Sequence, residues 1–323
     1  IITDGDGIYR ISKDYLDTNG VDTAAINLSQ LRIYYLGEEI AIEVFDQNGD
    51  DRFDDADYIR FYAQGVDSAY AKYSSQNVYW LTLATGSFVP LRMAGIESAP
   101  AGGPVAADFA DIARAEQNIV YWLKAPGADG IERWFYNTYV QGIEHAGGGL
   151  PKAFTIAVPQ PTSSGTLTIL RAGQTDSFHE VKVAINGVEQ NFNWAGINYY
   201  QASVDNVPLV DGDNTVTLQC LSADGNDSII VDWFKIAYGR DYVVGADNIF
   251  KFAPDSGERY LIDGFSTNSL VAYDISDPVD VAIIENPAIS GAAPYSFEFE
   301  PTAFGDTYLV LASEAGKVPV ALV

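Results

Sequence analysis

The segment Asp46-Gln47-Asn48-Gly49-Asp50-Asp51-Arg52-Phe53-Asp54-Asp55-Ala56-Asp57 sets oxygen-bearing side chains at positions 1, 3, 5, 9 and 12 of one loop. This is the spacing with which a single stretch of chain wraps a hard cation such as Ca²⁺. Asp46, Asn48 and Asp50 would supply the first ligands and the carbonyl of Arg52 the seventh position. Asp54 would act directly or through water, Asp57 would close the site, and Phe53 would point into the core. The six acidic side chains of this segment repel one another unless a cation lies among them. Position 6, where the turn is sharp and Gly is usual, is Asp51, a residue type that tolerates the left-handed conformation. The alternative is an acidic surface turn. Glu43-Val44-Phe45 before the loop and Tyr58-Ile59-Arg60-Phe61-Tyr62 after it read as strands, so the loop caps a hairpin and its role is structural.

Other chemistry is thinly represented. The chain has one cysteine, Cys220, and two histidines, His145 and His179. A nucleophilic dyad needs an activated thiolate, a base and an oxyanion hole; Cys220 between Gln219 and Leu221 reads instead as a buried residue on a strand, and no internal disulfide is possible. No carboxylate pair stands out for glycosidic chemistry. Trp194, Tyr199 and Tyr200 fall in a turn-rich stretch, 191–200, where exposed rings could stack on sugar faces; the competing reading packs them on a core and its rim. Trp134 and Trp233 sit in strand patterns and read as core. Asp224-Gly225-Asn226-Asp227 is too tight to wrap Ca²⁺ alone and reads as a β-turn. Asp4-Gly5-Asp6-Gly7 reads as a flexible start. Phosphate-cradling glycine loops, zinc spacings and basic stripes are missing from the sequence.

The elements that must position these residues are strands. Twenty Tyr, sixteen Phe and five Trp in 323 residues favour sheet, and Gly, Asn and Asp punctuate the chain at the intervals of sandwiches and meanders. The expected fold is all-β: a jelly-roll β-sandwich with flanking smaller β-rich units and one or two short helices. Residues 1–95 form a β-rich unit carrying the calcium-type loop, with a short helix from Lys13 to Thr18 capped by Ser12. Strands are read at 7–11, 31–35, 39–44, 58–62 and 77–83. Residues 96–118 read as an Ala/Gly/Pro-rich linker followed by a helix from Ala106 to Gln117. Residues 119–240 form the sandwich, opening at Glu132–Tyr136 and containing the two-residue hairpin turn Asn186-Gly187. Residues 241–323 form a small β domain.

Charge bounds the partners. Eighteen Lys and Arg against 44 Asp and Glu give a net charge of −26, a surface that repels nucleic acid and anionic membranes. No run of 18 apolar residues occurs, so no membrane insertion is expected. The opening at Ile1-Ile2-Thr3, with no Met, reads as a processed chain or an excised piece.

Four groups of strings, in order, resemble one family. They are Gly7-Ile8-Tyr9-Arg10-Ile11-Ser12 with Leu31-Arg32-Ile33-Tyr34; the acidic loop running into Asp57-Tyr58-Ile59-Arg60-Phe61-Tyr62; Asn77-Val78-Tyr79-Trp80-Leu81-Thr82; and His179, Val183, Asn186-Gly187, Asp211-Gly212-Asp213-Asn214, Val231-Asp232-Trp233 and Tyr238-Gly239-Arg240. The set resembles the non-catalytic region ahead of the peptidase domain in gingipain-like secreted cysteine peptidases, including the sortase-like members of type IX secretion systems, over nearly the whole chain. The resemblance implies an extracellular or cell-surface protein with an all-β front region and a Cys–His caspase-like domain to follow. Neither His145-Ala146 nor His179-Glu180 makes the family's His-Gly pair, and Cys220 lacks the family's turn-rich setting, so no catalytic residue carries over.

The resulting expectation is a non-enzymatic accessory or scaffold region, stabilised by structural Ca²⁺, that positions or covers the C-terminal peptidase domain, with a cell-surface protein or glycan as a further expected partner. The alternative is a carbohydrate-binding jelly-roll module of a secreted enzyme.

Overall fold

The computed structural model describes residues 1–323 except 68–69, 71–72, 85–87, 128–132, 146–147, 256–257 and 304. It is all-β, with 3-10 turns and one six-residue α-helix among the described residues. The chain divides into two compact units, Ala107–Tyr242 and a discontinuous one made of Ile1–Ala106 with Val243–Val323.

The Ala107–Tyr242 unit is a two-sheet antiparallel sandwich. One sheet runs in the order Phe109–Glu116, Ser228–Arg240, Gly165–Gly173, Tyr199–Val207, with Tyr139–Gln141 also paired to Ser228–Arg240. The other runs Lys152–Val158, Gly212–Cys220, Phe178–Ile185, Val188–Ala195. The period-2 alternation of these strands turns Phe154, Ile156, Val181, Val183, Leu218 and Phe234 into one core. Each such side chain contributes about 1.5–3 kcal/mol when fully removed from water. Asn186 (φ 45°) and Gly187 (φ 87°) make the tight turn between paired Ile185 and Val188, as the Asn-Gly dipeptide requires.

Two expectations fail here. The stretch expected to be a helix, 106–117, is the strand Phe109–Glu116, paired along its whole length with Ser228–Arg240. Its Ala, Glu and Arg content favours helix locally, but ladder pairing and burial of Phe109 and Ala113 override propensity. The supposedly turn-rich stretch 191–200 instead holds the ends of two long strands, Val188–Ala195 and Tyr199–Val207. Of the expected opening strand Glu132–Tyr136, Trp134–Phe135 is a strand, and Glu132 lies outside the described residues.

In the other unit the helix Lys13–Thr18 is capped by the Ser12 side chain, which accepts from the Tyr15 N–H. The apolar run 39–44 splits at Ala41: Glu38–Ile40 pairs with Leu31–Tyr35, and Ile42–Phe45 pairs with Tyr58–Ala63 across the acidic loop. Gly95–Glu97, which straddles the expected start of the linker at 96, is a strand parallel to Ala282–Glu285. The early and late segments of this unit share polar contacts: the Tyr273 hydroxyl donates to Glu43 (2.6 Å), and the buried Arg60 donates to the Ser313 carbonyl (2.8 Å).

Candidate functional site

The hairpin Ile42–Phe45/Tyr58–Ala63 holds the acidic loop at its tip, with Phe45 opposite Tyr58. The loop's turns are built. Asp51 takes φ 63° at position 6, and Phe53 is 2% exposed. Asp57 is 1% exposed; its carboxylate accepts the Gln47 N–H at 2.8 Å and the Asp54 N–H at 2.7 Å. Asp46 accepts from Gly49 (2.7 Å) and Asp51 (2.9 Å), and Asn48 Nδ2 donates to Asp54 Oδ2 at 3.1 Å. The Asp51 N–H above all, followed by others of the loop, holds the Asp46 carboxyl below the usual range. The Asp51 side chain leaves the loop to accept from the Ser29 N–H and hydroxyl. A concavity of about 360 Å³ lined by Gln47, Asn48, Asp54, Asp55, Ala56 and Asp57 opens beside it.

These residues suit calcium in part. All side-chain donors are oxygen, the sixth position has the required turn, and a carboxylate oxygen that accepts one N–H retains lone-pair capacity for a cation. The side chains do not converge, however: among the described residues no three His, Cys, Asp or Glu groups meet in a geometry that would hold a metal ion.

In the sandwich, His179 and Cys220 do come together, but through a third residue. Asp227 Oδ1 lies 2.5 Å from His179 Nδ1, and its Oδ2 accepts from the Cys220 thiol at 3.1 Å. His179 Nε2 faces the Gly196 carbonyl at 3.2 Å. All three side chains are fully buried. A Cβ on Gly173 would collide with the His179 ring, so the close approach requires glycine there. Burial, reinforced by the Asp227 carboxylate, pushes the thiol up to about 12. The sulfur faces a carboxylate rather than the imidazole, which is the reverse of an activated dyad. Asp227 was missed as a partner because its sequence context signals a turn, and the turn is present: the Asp227 N–H donates to the Asp224 carbonyl at 3.0 Å.

The aromatic side chains are redistributed relative to expectation. Trp194 is 9% exposed; its ring lies parallel to Tyr200 (4.9 Å, 6°) and near His179 (4.7 Å). Tyr199 stacks on Phe135 at 6.1 Å. Trp134, expected in the core, is 41% exposed and paired with exposed Tyr121, because its neighbour Phe135 takes the inward position. Trp233, also expected in the core, is partly exposed with Lys235 (4.7 Å) and Arg114 (5.2 Å) against its ring. The register shift that sets Leu170 opposite Trp233 and Arg171 opposite Val231 leaves Asp232 as an extra residue, a bulge that changes which face the next side chain takes. The acidic start, expected to be flexible, is tied down: Asp4 accepts from the Tyr9 hydroxyl at 2.7 Å and Asp6 pairs with Lys251 at 3.3 Å.

No family model and no curated protein matches this sequence. Among solved structures, dimeric latent PorU from Porphyromonas gingivalis aligns with 99% of this chain and 32% of that chain, with a TM-score of 0.66 at 15% identity. This chain therefore shares the fold of part of PorU and spans about a third of that chain's length. Partial alignments also reach a CBM36 carbohydrate-binding module in complex with calcium and xylotriose (39% of this chain, 98% of that chain, 17% identity, TM-score 0.27). A CBM35 from Cellvibrio japonicus Abf62 aligns similarly (41% of this chain, 96% of that chain, 22% identity, TM-score 0.27). Scores this low carry no argument about the sandwich. No described helix is long and apolar enough to cross a membrane.

Proposed function

We propose that this chain is a non-catalytic accessory region of a secreted, gingipain-like cysteine peptidase, which positions or covers a peptidase domain C-terminal to it outside the cell. The observation that carries the reading is the fold match to PorU along 99% of this chain, in line with the ordered motifs of the sequence. The buried thiol of Cys220 supports a region that performs no cysteine chemistry itself. The test is to mix the purified chain with the separately produced peptidase domain of the same protein. A stable complex, or a change in that domain's turnover, is the expected result; no association and no effect on turnover would remove the reading.

Calcium at Asp46, Asn48, Asp50, the Arg52 carbonyl, Asp54 and Asp57 is proposed to lock the loop, drawing in side chains that now accept backbone N–H groups. Binding confined to the folded state stabilises by mass action. Millimolar Ca²⁺ is expected to raise the melting temperature over EDTA where Mg²⁺ does not, and the Asp46→Ala, Asp50→Ala double variant is expected to lose the gain. An unchanged melting temperature would reduce the loop to an acidic turn.

A second reading, a carbohydrate-binding module, is favoured by one feature, the outward Tyr121–Trp134 pair. Specific binding on a glycan array that Trp134→Ala abolishes would support it, whereas dependence on Trp194 would point back to the stretch singled out in the sequence.

A further inference from the structure

Arg171 has no exposed surface, yet its Nε and both terminal nitrogens lack hydrogen-bond partners among the described residues. Trp194 Nε1, also buried, is likewise without an acceptor. The two groups are neighbours: the Arg171 Cζ lies 5.0 Å from the Trp194 ring and 5.1 Å from those of Phe192 and Tyr200. Arg171 projects from Gly165–Gly173, Phe192 and Trp194 from Val188–Ala195, and Tyr200 from Tyr199–Val207. Val188–Ala195 is the edge strand of its sheet and Tyr199–Val207 the edge strand of the other, so the cluster lies where the two sheets meet at one side of the sandwich.

Three ring faces near a guanidinium recover part of its desolvation. They do not replace the in-plane acceptors that its five N–H groups require. Buried donors in native proteins end on protein, water or an ion with few exceptions, and an uncompensated buried charge is among the costliest features a core can carry. Here a cation and an indole N–H present only donors, which selects a negatively charged occupant over a neutral one. Complete burial restricts that occupant to a few atoms, because a carboxylate carried on a larger molecule would need an opening.

We propose that Arg171 and Trp194 hold a small monovalent inorganic anion of the halide class at the edge of the sandwich. The anion neutralises the guanidinium, accepts the indole N–H, and makes the stability of this unit dependent on the anion present.

The test is thermal unfolding of the intact chain, followed by near-ultraviolet circular dichroism, in chloride, bromide and gluconate at one fixed ionic strength. Chloride and bromide are expected to raise the melting temperature over gluconate, with a gain that grows with the logarithm of halide concentration once past the dissociation constant. The gain should vanish in Arg171→Met, whose unbranched side chain fills similar space without charge. Should that variant not fold, Trp194→Phe, which removes one donor and keeps a ring, is expected to show a reduced halide gain. Crystals grown in bromide should show anomalous scattering beside Arg171 and Trp194. Equal melting in all three salts with no bromide peak would overturn the proposal in favour of ordered water. A halide gain that persists in Arg171→Met would overturn it by placing the effect elsewhere.

Discussion

Replacing Asp227 with Ala should unfold the sandwich more readily than any surface change. The carboxylate is fully buried and accepts at once from His179 and Cys220. Removing it leaves the His179 ring nitrogen and the Cys220 thiol, both buried, without that acceptor. A buried donor left unsatisfied costs about 1–3 kcal/mol, so the two together cost about 3–5 kcal/mol. For a unit of this size that lowers the melting temperature by roughly 10–20 °C. Asp227→Asn keeps the shape and one acceptor and should cost about 1.5–3 kcal/mol, the worth of a charge-assisted hydrogen bond. Replacing all three residues together, His179→Leu, Cys220→Val and Asp227→Leu, removes the orphaned groups and should recover much of the loss. Urea unfolding, with the midpoint and slope read separately, is the assay. If Asp227→Ala costs less than about 1 kcal/mol at unchanged slope, the buried hydrogen bonds to this carboxylate do not hold the sandwich together.

Four further outcomes are expected. Cys220, with its thiol pushed up to about 12 by burial, should be silent to a thiol reagent at neutral pH and react stoichiometrically once the chain is unfolded. Asp57→Ala should destabilise the unit that carries the acidic loop by about 1–3 kcal/mol even in EDTA, because the Gln47 and Asp54 N–H groups lose their acceptor; denaturant melts of both proteins would show it. Trp194→Ala should cost about 3–5 kcal/mol and Trp134→Ala much less, since one ring is in the core and the other is 41% exposed. The Asp46 carboxyl is depressed in the folded state, so its contribution is present above the unfolded value of about 3.9 and is lost as pH falls through the folded value. Protection of the Gly49 and Asp51 amides, measured against the intrinsic exchange rate at each pH, should therefore fall on acidification below about pH 4.

Legibility from sequence followed a physical divide. Strands with clean alternation, such as 153–158 and 180–185, could be read because one face is buried and the other is wet. The Ser12 cap and the Asn186-Gly187 turn could be read because local chemistry fixes them. The all-β class, which the structure shows, rests on that evidence. Where pairing partners decide, the sequence was mute: nothing at Ala41 signals that Glu38–Ile40 and Ile42–Phe45 join different sheets. Trp134 and Trp233 read as core from their strand patterns, yet a two-residue strand and a one-residue bulge set which way they face. Arg171 escaped notice because a charged residue in an alternating strand is read as outward, and only the tertiary fold shows it enclosed by rings. Asp227 was hidden for a similar reason, its turn being local and its partners 48 and 7 residues away.

The discontinuity of one unit has a consequence for biosynthesis. Ala107–Tyr242 is a continuous segment and can fold once its last strand has left the ribosome. The other unit cannot: Gly95–Glu97 pairs with Ala282–Glu285, Ile2 with Ala321, and the Arg10 N–H donates to the Lys317 carbonyl. The first hundred residues must therefore wait, with Ile8, Tyr62 and Met93 lacking their partners Tyr273, Leu309 and Leu311, while more than two hundred others are translated. At roughly 5–20 residues per second that delay is of the order of ten seconds or more. During it the sandwich acts as a preassembled spacer that reduces the conformational search between the two halves, since a folded insert brings its own ends to a fixed separation where a random coil would not.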